Sequence, residues 1–415
     1  MDAAKAAPLR LGYLLRTFPV LSETFVAGEI REVARLTGHA PVVAALNRPG
    51  TGQAGEWSAR GAAGVRYWLD IEKRHPLPIL KAHARLLARD AARTLKALMG
   101  RDGNTPALEA RAKLKTAVLA DFFLTKGVGH LHSHFGWEQA DTLAFLKRLC
   151  ALPYSLTLHA ADIFVSPEKL ARRVAGASFV ATISEYNRRL LVERFGLSPS
   201  KVHVVHCGVD AGRLPPRPAA PSKGPARVVC VGRMVPKKGF GVLLHALAIL
   251  RAQGADVRAE FVGDGPQRAG LLRLAGELGL CERVLFTGAL SPAQTAARIG
   301  NGHIFVLACT MGQDGDMDGI PVALMEAMAM EKPVVSTRLS GIPELVAKGC
   351  GLLAEPGDPV SLAARIRTLL DEPGLAQKLA RAGRIRVEKR FSLAGQARRI
   401  IALAARWRPR AMEGA

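Results

Sequence analysis

Short apolar and β-branched runs alternate with longer segments of helical periodicity along the chain. Such runs are typical of strands buried on both faces of a sheet. The predicted strands are Leu11–Arg16, Pro41–Leu46, Val128–Ser133, Tyr154–Leu158, Phe179–Ile183, Val202–Val205, Arg227–Val231, Arg258–Val262, Val284–Thr287, Ile304–Leu307, Pro333–Ser336 and Gly351–Ala354. Helical patterns such as Gly241–Ala252 and Ala293–Gly300 lie between them. This alternation predicts an α/β protein with parallel sheets built from βαβ units.

A proline-rich stretch separates the two sets of strands. Residues 214–225 hold five prolines in twelve positions, which excludes a regular helix or a central strand there. The 415-residue chain is long enough for two hydrophobic cores. We therefore predict Rossmann-like, doubly wound domains at residues 1–210 and 227–390, a linker over 211–226, and a last helix with a basic tail over 391–415.

The charge balance narrows the class of partner. The chain holds 58 Lys and Arg against 35 Asp and Glu, a net charge of +23. Such an excess favours a polyanionic partner, which could be nucleic acid, anionic lipid or an acidic substrate. Aromatic residues are only 5% of the chain and do not interleave with the basic runs, so surfaces for stacking on bases are poorly supplied. We therefore expect an anionic membrane surface and no nucleic acid.

A basic helical segment is predicted over about residues 72–116. Between positions 73 and 115 there are eleven Lys and Arg against three Asp and Glu. Four of them recur at four-residue spacing, which predicts one helical stripe: Lys81, Arg85, Arg89 and Arg93. A basic amphipathic helix suits an anionic leaflet. A solvated face on a core helix explains the same pattern equally well.

The remaining composition indicates a cytoplasmic protein. Six cysteines are scattered without paired spacing, as expected for free thiols in a reducing compartment. The opening residues lack the apolar region of a signal peptide, and no run of about 18 apolar residues predicts a membrane span. With the basic segment, this predicts a peripheral protein on the inner face of the cytoplasmic membrane.

Two carboxylates, Asp318 and Glu326, stand eight positions apart across a turn that contains Gly319, Ile320 and Pro321. An acid before a helix and another inside its first turns can face one pocket. The N–H groups at the start of such a helix can bind an anion. The arrangement therefore suits a ligand that carries both hydroxyls and phosphates, such as a nucleotide-sugar.

A basic turn follows the predicted strand Arg227–Val231. Gly232 and Arg233 open it, and Lys238 stands near its end. An arginine fork and a lysine point charge at the carboxyl end of a strand can hold a diphosphate. A solvated basic turn is the alternative. In the turn after the next strand, Gly265 allows a positive φ and a close backbone approach.

Histidines and acids in the first half offer further candidates. His159 and Asp162 stand three apart at the end of a predicted strand, where His159 could contact a sugar or have a structural role. His132 and His134 alternate along another strand, so both imidazoles face one side. They form half a metal site, which no Cys or carboxylate within that segment completes. We predict no metal site.

Together these elements resemble glycosyltransferase family 4, the retaining enzymes of the GT-B fold. The resemblance rests on the segment from Asp318 to Thr337, the turn Gly232–Gly239 and the pair His159 and Asp162, and it is strongest over residues 128–210 and 226–347. The segment Thr17–Phe25 is similar to a bacterial subgroup of colanic-acid-type exopolysaccharide transferases. Both acids of the signature are usually Glu in the family, so Asp318 is a departure.

The resemblance implies two domains that face each other across a cleft, with the C-terminal helix crossing back to the first domain. It implies transfer of a sugar from a nucleotide-diphosphate sugar to a lipid-linked or oligosaccharide acceptor, with retention and without metal or cofactor. The implied catalytic residues are His159, Asp318, Arg233 and Lys238. The implied donor-binding residues are Ser22, Gly232, Arg233, Lys238, Gly265, Leu290, Asp318, Gly319, Ile320, Pro321 and Glu326.

Two other functions fit the same features. A nucleotide-sugar 2-epimerase of the GT-B fold would share the donor site but would need no acceptor. A non-catalytic basic protein would bind membrane or nucleic acid in a strongly salt-dependent manner and would have no affinity for nucleoside diphosphates.

Overall fold

The structure, a computed structural model, describes residues 9–20, 23–50, 64–68, 70, 76–100, 110–165, 167–216, 224–347 and 349–407. The chain divides into two compact units. The first unit contains the chain up to Ile183, Arg188–Val205 and the segment that begins at Gln396. The second unit contains Ser184–Asn187 and His206–Gly395. Residues 217–223 of the predicted linker lie outside the described residues.

The first unit is built on a seven-stranded parallel sheet in the order β3-β2-β1-β4-β5-β6-β7. The strands are β1 (Leu11–Thr17), β2 (Val42–Asn47), β3 (Arg66–Tyr67), β4 (His130–His134), β5 (Tyr154–Leu158), β6 (Phe179–Thr182) and β7 (Val202–Val204). The helices in this part of the chain are α1 (Thr24–Thr37), α2 (Leu77–Arg89), α3 (Ala91–Met99), α4 (Ala110–Thr125), α5 (Glu138–Cys150), α6 (Ala160–Phe164), α7 (Leu170–Ala175) and α8 (Glu185–Glu193).

The second unit repeats this plan with a six-stranded parallel sheet in the order β10-β9-β8-β11-β12-β13. The strands are β8 (Ala226–Val231), β9 (Val257–Val262), β10 (Val284–Gly288), β11 (Ile304–Val306), β12 (Val334–Thr337) and β13 (Leu352–Ala354). The helices that follow in chain order are α9 (Phe240–Ala252), α10 (Arg268–Glu277), α11 (Pro292–Asn301), α12 (Val322–Ala329), α13 (Ile342–Leu345), α14 (Pro359–Asp371), α15 (Pro373–Arg390) and α16 (Leu393–Ala405). Both sheets therefore have the strand order of a Rossmann fold.

Apolar residues on both faces of each sheet form the cores. In β1, Leu11, Tyr13 and Leu15 pack in one cluster with α1 and α16, while Leu14 packs in a second cluster with α2 to α5. The alternation arises because successive side chains of a strand point to opposite faces. In the second unit one continuous cluster contains residues from every strand except β10, whose Val284 and Phe286 pack against it half-buried. Burial on both faces explains why the strands are continuous apolar runs.

The strand predictions are confirmed. All twelve predicted strands are present, with ends within two residues of those predicted. The thirteenth strand, β3, was missed because it holds only Arg66 and Tyr67, and two residues are too few for a period to be recognised. The last helix, predicted within residues 391–415, begins at Leu393, and the Ser392 hydroxyl accepts from the Gly395 N–H at 3.3 Å.

The prediction of one continuous basic stripe is wrong. The helix breaks at Asp90, which ends α2 in extended conformation and caps α3. The Asp90 carboxylate accepts from the backbone N–H of Arg93 at 2.9 Å and from the Arg93 side chain at 3.1 Å. Lys81, Arg85 and Arg89 therefore lie on α2, whereas Arg93 lies on α3, so the four residues do not form a stripe on one helix. Residues 101–109 of the predicted segment lie outside the described residues.

Candidate active site

The candidate site of the second unit lies at the carboxyl ends of its strands. The sheet order changes direction between β8 and β11, and ligands of open α/β sheets bind outside the carboxyl ends of strands at such a point. Gly232 and Arg233 follow β8 directly, Gly265 follows β9, and Leu290 follows β10. The loop after β11 leads through Asp318 to Pro321, which precedes α12.

A largely buried ion pair forms the centre of this site. The Lys238 ammonium lies 2.7 Å from Oδ2 of Asp318, and Lys237 Nζ lies 3.7 Å from Oδ1 of the same carboxylate. The Cys309 thiol donates to Oδ2 of Asp318 at 3.4 Å. Lys237 also pairs with Asp316, at 2.9 Å. The structure therefore brings Lys238 and Asp318 together although they stand eighty positions apart in the chain.

Both members of the pair are charged. Burial alone would raise the pKa of Asp318, but the two lysine ammonium groups outweigh it and lower this pKa below its usual value. Burial alone would lower the pKa of Lys238, but Asp318 raises it above the usual lysine value. Each charge thus offsets the desolvation of the other.

Glycines shape the loops around the pair. The Lys238 side chain passes over Gly232, where an added Cβ would lie 3.4 Å from a lysine methylene carbon. Gly265 has φ +157, and an added Cβ there would lie 2.6 Å from the Met234 carbonyl oxygen. The two loops are also tied by the Met234 N–H, which donates to Asp264 at 2.8 Å. Gly265 therefore has a structural reason to be glycine.

Arg233 and Glu326 differ from this pair in their surroundings. Arg233 is exposed. Glu326 is half-buried in α12, and burial raises the pKa of its carboxyl to about 7. No described side chain or backbone group pairs with the Glu326 carboxylate. A carboxylate that lacks a protein donor is suited to accept from hydroxyls of a ligand.

The residues between Asp318 and Glu326 are mostly buried. Gly319 and Ile320 are buried, and Pro321 is the N-cap residue of α12 and offers no side-chain hydrogen bond. The first turn of α12 contains no acidic residue. Its N–H groups therefore retain the partial positive charge that favours an anion. Leu290 is half-buried against the core of the second unit.

His159 lies at the carboxyl end of β5 in the first unit, between β5 and α6. Its Nε2 lies 3.1 Å from Nδ1 of His134, and its ring packs against those of Phe25 and Phe135. Burial lowers the pKa of His159 well below its usual value, so the ring is neutral. Phe135 has a positive φ of 71°, which is uncommon for a bulky residue. Such strained backbone conformations cluster at functional sites.

Asp162 holds the backbone around His159 in place. Its carboxylate accepts from the N–H groups of His159 and Gly136, each at 2.8 Å. Burial raises the pKa of Asp162 to about 7, although these two bonds act in the opposite direction. Asp162 is therefore a positioning residue that joins the loops after β4 and β5.

Sequence reasoning missed Glu29. This carboxylate of α1 completes a group with His132 and His134 whose ligand atoms all lie within 4.8 Å of one another. It is the only group among the described residues that could hold a metal ion. Glu29 stands about one hundred positions before the two histidines, so no local motif in the sequence links them. In the second unit, Asp314, Asp316 and Asp318 alternate along the chain. Asp316 pairs with Lys237, and its backbone N–H donates to the Asp314 carboxylate.

The predicted site residues thus fall into two groups, one in each unit. Lys238 and Asp318 form an ion pair in the second unit, with Gly232 beside the Lys238 side chain, whereas His159 belongs to the first unit. Ser22 lies outside the described residues.

Comparison with known proteins establishes the family. The family model of the glycosyl transferases group 1 matches residues 216–386. A Salmonella typhimurium protein named as a colanic acid biosynthesis glycosyltransferase is 32% identical over 378 residues, which cover 86% of this chain and 90% of that protein. The amylovoran biosynthesis glycosyltransferase of Erwinia amylovora is 30% identical over 410 residues, which cover 92% of this chain and 96% of that protein. The chain therefore belongs to the group 1 glycosyl transferases.

A solved structure agrees with the fold. Anabaena HepE, crystallised in complex with UDP, matches with a TM-score of 0.71 and 19% identity, over 96% of this chain and 100% of that chain. The predicted GT-B fold, with two Rossmann-like domains, is confirmed. The relatives do not favour the epimerase or the non-catalytic binding protein. No helix in the described part of the chain is both long enough and apolar enough to cross a bilayer.

Proposed function

We propose that this glycosyltransferase is a retaining, metal-independent enzyme of family 4. It transfers a sugar from a nucleotide-diphosphate sugar to a lipid-linked or oligosaccharide acceptor in the synthesis of exopolysaccharide or cell-envelope glycan. The observation that supports this most directly is the largely buried ion pair of Lys238 and Asp318 at the strand ends, in which Lys238 belongs to the basic turn that also carries Arg233. The names of the relatives in colanic acid and amylovoran synthesis support the class of product.

The second unit would hold the donor. Arg233 can offer a planar fork to one phosphate, and Lys238 a point charge to the other. The amide groups at the start of α12 add to the positive potential. Glu326 would accept from the two ribose hydroxyls, since one carboxylate can accept from both members of a cis-diol. Asp318, Gly319 and Ile320 would lie near the sugar and the β-phosphate, Pro321 would begin the helix beside them, and Leu290 would lie near the base.

The proposed sugar transfer needs no cofactor. The bond between the anomeric carbon and the diphosphate oxygen breaks, and the leaving diphosphate is stabilised by Arg233, Lys238 and the α12 N–H groups. The acceptor oxygen then bonds to the anomeric carbon on the face that the diphosphate leaves. The proton of that acceptor hydroxyl passes to an oxygen of the leaving diphosphate. His159 would contact the reacting sugar.

We propose that the enzyme is cytoplasmic and binds peripherally to the inner face of the membrane, where lipid-linked acceptors are found. Large apolar side chains are exposed on α2 and α3, among them Leu80 at 63% and Met99 at 80% exposure. Lys81 and Lys96 lie on the same two helices. Exposed apolar residues among basic ones suit the interface of an anionic leaflet.

The test of the donor site is a thermal-shift panel of UDP, GDP, ADP and their sugar conjugates. A ligand that binds the folded protein raises the unfolding midpoint as its concentration passes the Kd. We expect a shift with one base, and its loss in Arg233→Ala and in Glu326→Ala. A folded sample that shows no shift with any nucleotide would contradict the donor site.

Turnover tests the same site. Lys238→Ala should lower kcat by about a hundredfold to a thousandfold while the protein remains folded, because one donor to the developing charge is lost. Lys378→Ala is the control, since this lysine is at an exposed position of α15. Equal activity of Lys238→Ala and the wild type would exclude Lys238 from phosphate stabilisation.

A further inference from the structure

The first unit has a switch point of its own. Its sheet order changes direction between β1 and β4, and ligands of open α/β sheets bind in the crevice outside the carboxyl ends of two such strands. Arg16 lies at the end of β1, and Phe135, Gly136 and Trp137 follow β4 directly. The donor is proposed to occupy the second unit, so this crevice of the first unit is the corresponding place for the acceptor.

Four planar groups stack in a column at this crevice. The ring of His159 packs on that of Phe135, with centroids 4.5 Å apart, and the Phe135 ring lies nearly parallel to that of Trp137 at 4.4 Å. The guanidinium of Arg16 lies 5.0 Å from the centroid of the Trp137 ring. The column therefore leads from the predicted catalytic histidine to a charged group that is exposed to solvent.

Hydrogen bonds hold the loop after β4 in place. The Gln139 side chain donates to the Phe135 carbonyl oxygen at 3.0 Å. The Gly136 N–H donates to Asp162 at 2.8 Å, and the Gly136 carbonyl oxygen accepts from Arg173 at 3.0 Å. A site whose groups are fixed in advance loses less conformational entropy when it binds a ligand. The stacked rings are therefore positioned before a ligand arrives.

The crevice also carries one basic and two acidic side chains. Nε of Arg16 lies 3.1 Å from Oε2 of Glu138, and these two side chains are 47% and 58% exposed. Glu23, the N-cap residue of α1, is half-buried, does not cap the helix with its side chain, and interacts electrostatically with Arg16. Within the described part of the chain, no group forms a hydrogen bond or an ion pair with the Glu23 carboxyl. Both acidic side chains can therefore accept from a ligand.

These groups favour a neutral ligand rich in hydroxyls over a phosphate. Carboxylate oxygens accept from hydroxyls, guanidinium N–H groups donate to them, and an aromatic ring offers an apolar surface to the C–H groups of a sugar. A phosphate would meet two acidic side chains and an arginine that already pairs with Glu138. This composition differs from that of the whole chain, whose net charge is +23.

We propose that Arg16, Glu23, Trp137 and Glu138 form a subsite for a sugar unit of the acceptor. The oxygen that bonds to the anomeric carbon is then a sugar hydroxyl, and its proton passes to the leaving diphosphate as described above. An earlier glycosyl transfer must therefore supply the acceptor, because this enzyme extends a saccharide and does not start one on a lipid phosphate. The inference rests on the proposed function for the transfer step, but not for the binding of the sugar.

Binding is tested without a donor. Saturation-transfer NMR of the full-length protein with the methyl glycosides of glucose, galactose, mannose and fucose reports sugar binding directly. We expect a signal with at least one glycoside, its loss in Trp137→Ala and its retention in Trp137→Phe, which keeps an aromatic ring. Trp407→Ala is the matched control, since Trp407 is 50% exposed just after α16. A signal of equal strength in Trp137→Ala and the wild type, or no signal with any of the glycosides, would overturn the subsite.

Transfer then tests the class of acceptor. With the sugar conjugate that shifts the unfolding midpoint, nucleotide release should rise with the bound methyl glycoside and not with farnesyl phosphate. Glu138→Gln should raise the KM for the glycoside about tenfold, the effect of one weakened hydrogen bond to a charged group, with the KM for the donor unchanged. Glu355→Gln is the matched control, since Glu355 and Arg338 form an exposed ion pair of the same 3.1 Å length.

The outcomes separate the subsite from the transferase assignment. Nucleotide release that rises with farnesyl phosphate and with no glycoside would overturn the subsite and leave the transferase assignment intact. A protein that binds glycosides through Trp137 but binds no nucleotide would support the subsite and contradict the proposed function.

Discussion

Asp318 and Lys238 show how two residues of opposite sign can remain charged where little of either side chain is exposed to water. Each is desolvated, and each restores the charged form of the other. A phosphate that approached Lys238 would compete with Asp318 for the same ammonium. The short side chain of Asp318 suits direct contact with Lys238 at 2.7 Å.

At the scale of a single residue, Glu326 should make nucleotide affinity depend on pH. Burial raises the pKa of the Glu326 carboxyl to about 7, and the ionised form accepts better from ribose hydroxyls. Nucleotide affinity should therefore rise as the pH increases from 6 to 8. Calorimetric titration of wild type and Glu326→Gln with the same nucleotide isolates this residue, because the titration of the phosphates is common to both. A pH dependence that is identical in the two proteins would contradict the assignment.

The same carboxyl makes the unliganded protein less stable as the pH rises, although it makes nucleotide binding stronger. Because burial raises the pKa of Glu326 above its unfolded value of 4.5, the folded state binds this proton more tightly than the unfolded state. Its contribution to stability is therefore present below pH 4.5 and is lost as the pH rises through about 7. The unliganded Glu326→Gln protein should lack this loss.

At the scale of secondary-structure elements, Lys332 holds the end of α11. It is 1% exposed, and its ammonium donates to the carbonyl oxygens of Gly300 at 2.6 Å and Gly302 at 3.0 Å. The last carbonyls of a helix lack intrahelical donors and carry partial negative charge. A lysine that reaches them from the loop before β12 therefore joins two elements of the second unit.

Replacement of this lysine should destabilise the fold. Lys332→Met keeps the apolar stem but leaves two buried carbonyls without their donor, which should cost about 2–4 kcal/mol in the free energy of unfolding. Urea unfolding measures the difference. Lys378→Met, at an exposed position of α15, is the control and should change stability by less than about 0.5 kcal/mol. An equal midpoint for the two variants would show that the Lys332 bonds contribute nothing.

The break between α2 and α3 is also decided at this scale. Helical periodicity continues across Asp90, yet its carboxylate satisfies the first N–H groups of a new helix. Because Asp competes with the backbone for hydrogen bonds, it is favoured at such caps and disfavoured inside helices. The periodicity of the basic residues predicts a single helix, whereas the Asp90 carboxylate, three residues before Arg93, decides that a new helix begins there.

At the scale of the whole molecule, the net charge of +23 is the property with a measurable consequence. The protein should sediment with vesicles that contain phosphatidylglycerol and much less with neutral vesicles, and salt should weaken the binding. Leu80→Ser combined with Met99→Ser should reduce the bound fraction, because the exposed apolar residues of α2 and α3 are lost. Leu272→Ser, at an exposed position of α10, is the control. Equal binding by both variants would contradict membrane contact through α2 and α3.

Much of the fold and part of the candidate site were predictable because their determinants are local. Buried strands are short apolar runs, so the twelve main strands of the two sheets follow from composition and period. The turn at Gly232 and the helix start after Pro321 are contiguous in sequence, and each stands next to a strand or helix that was itself predicted. Whether the predicted residues bind the donor is a matter for the nucleotide panel.

The sequence by itself determined the α/β class, the two parallel sheets and the family resemblance, since each depends on neighbouring residues and on spacing along the chain. Only the tertiary structure decided which distant side chains meet. It placed Lys238 against Asp318, and it brought Glu29 of α1 to His134 of β4. The physical reason is that a buried charge must find a partner of opposite sign or a hydrogen-bond donor, and sequence distance does not limit where folding supplies it.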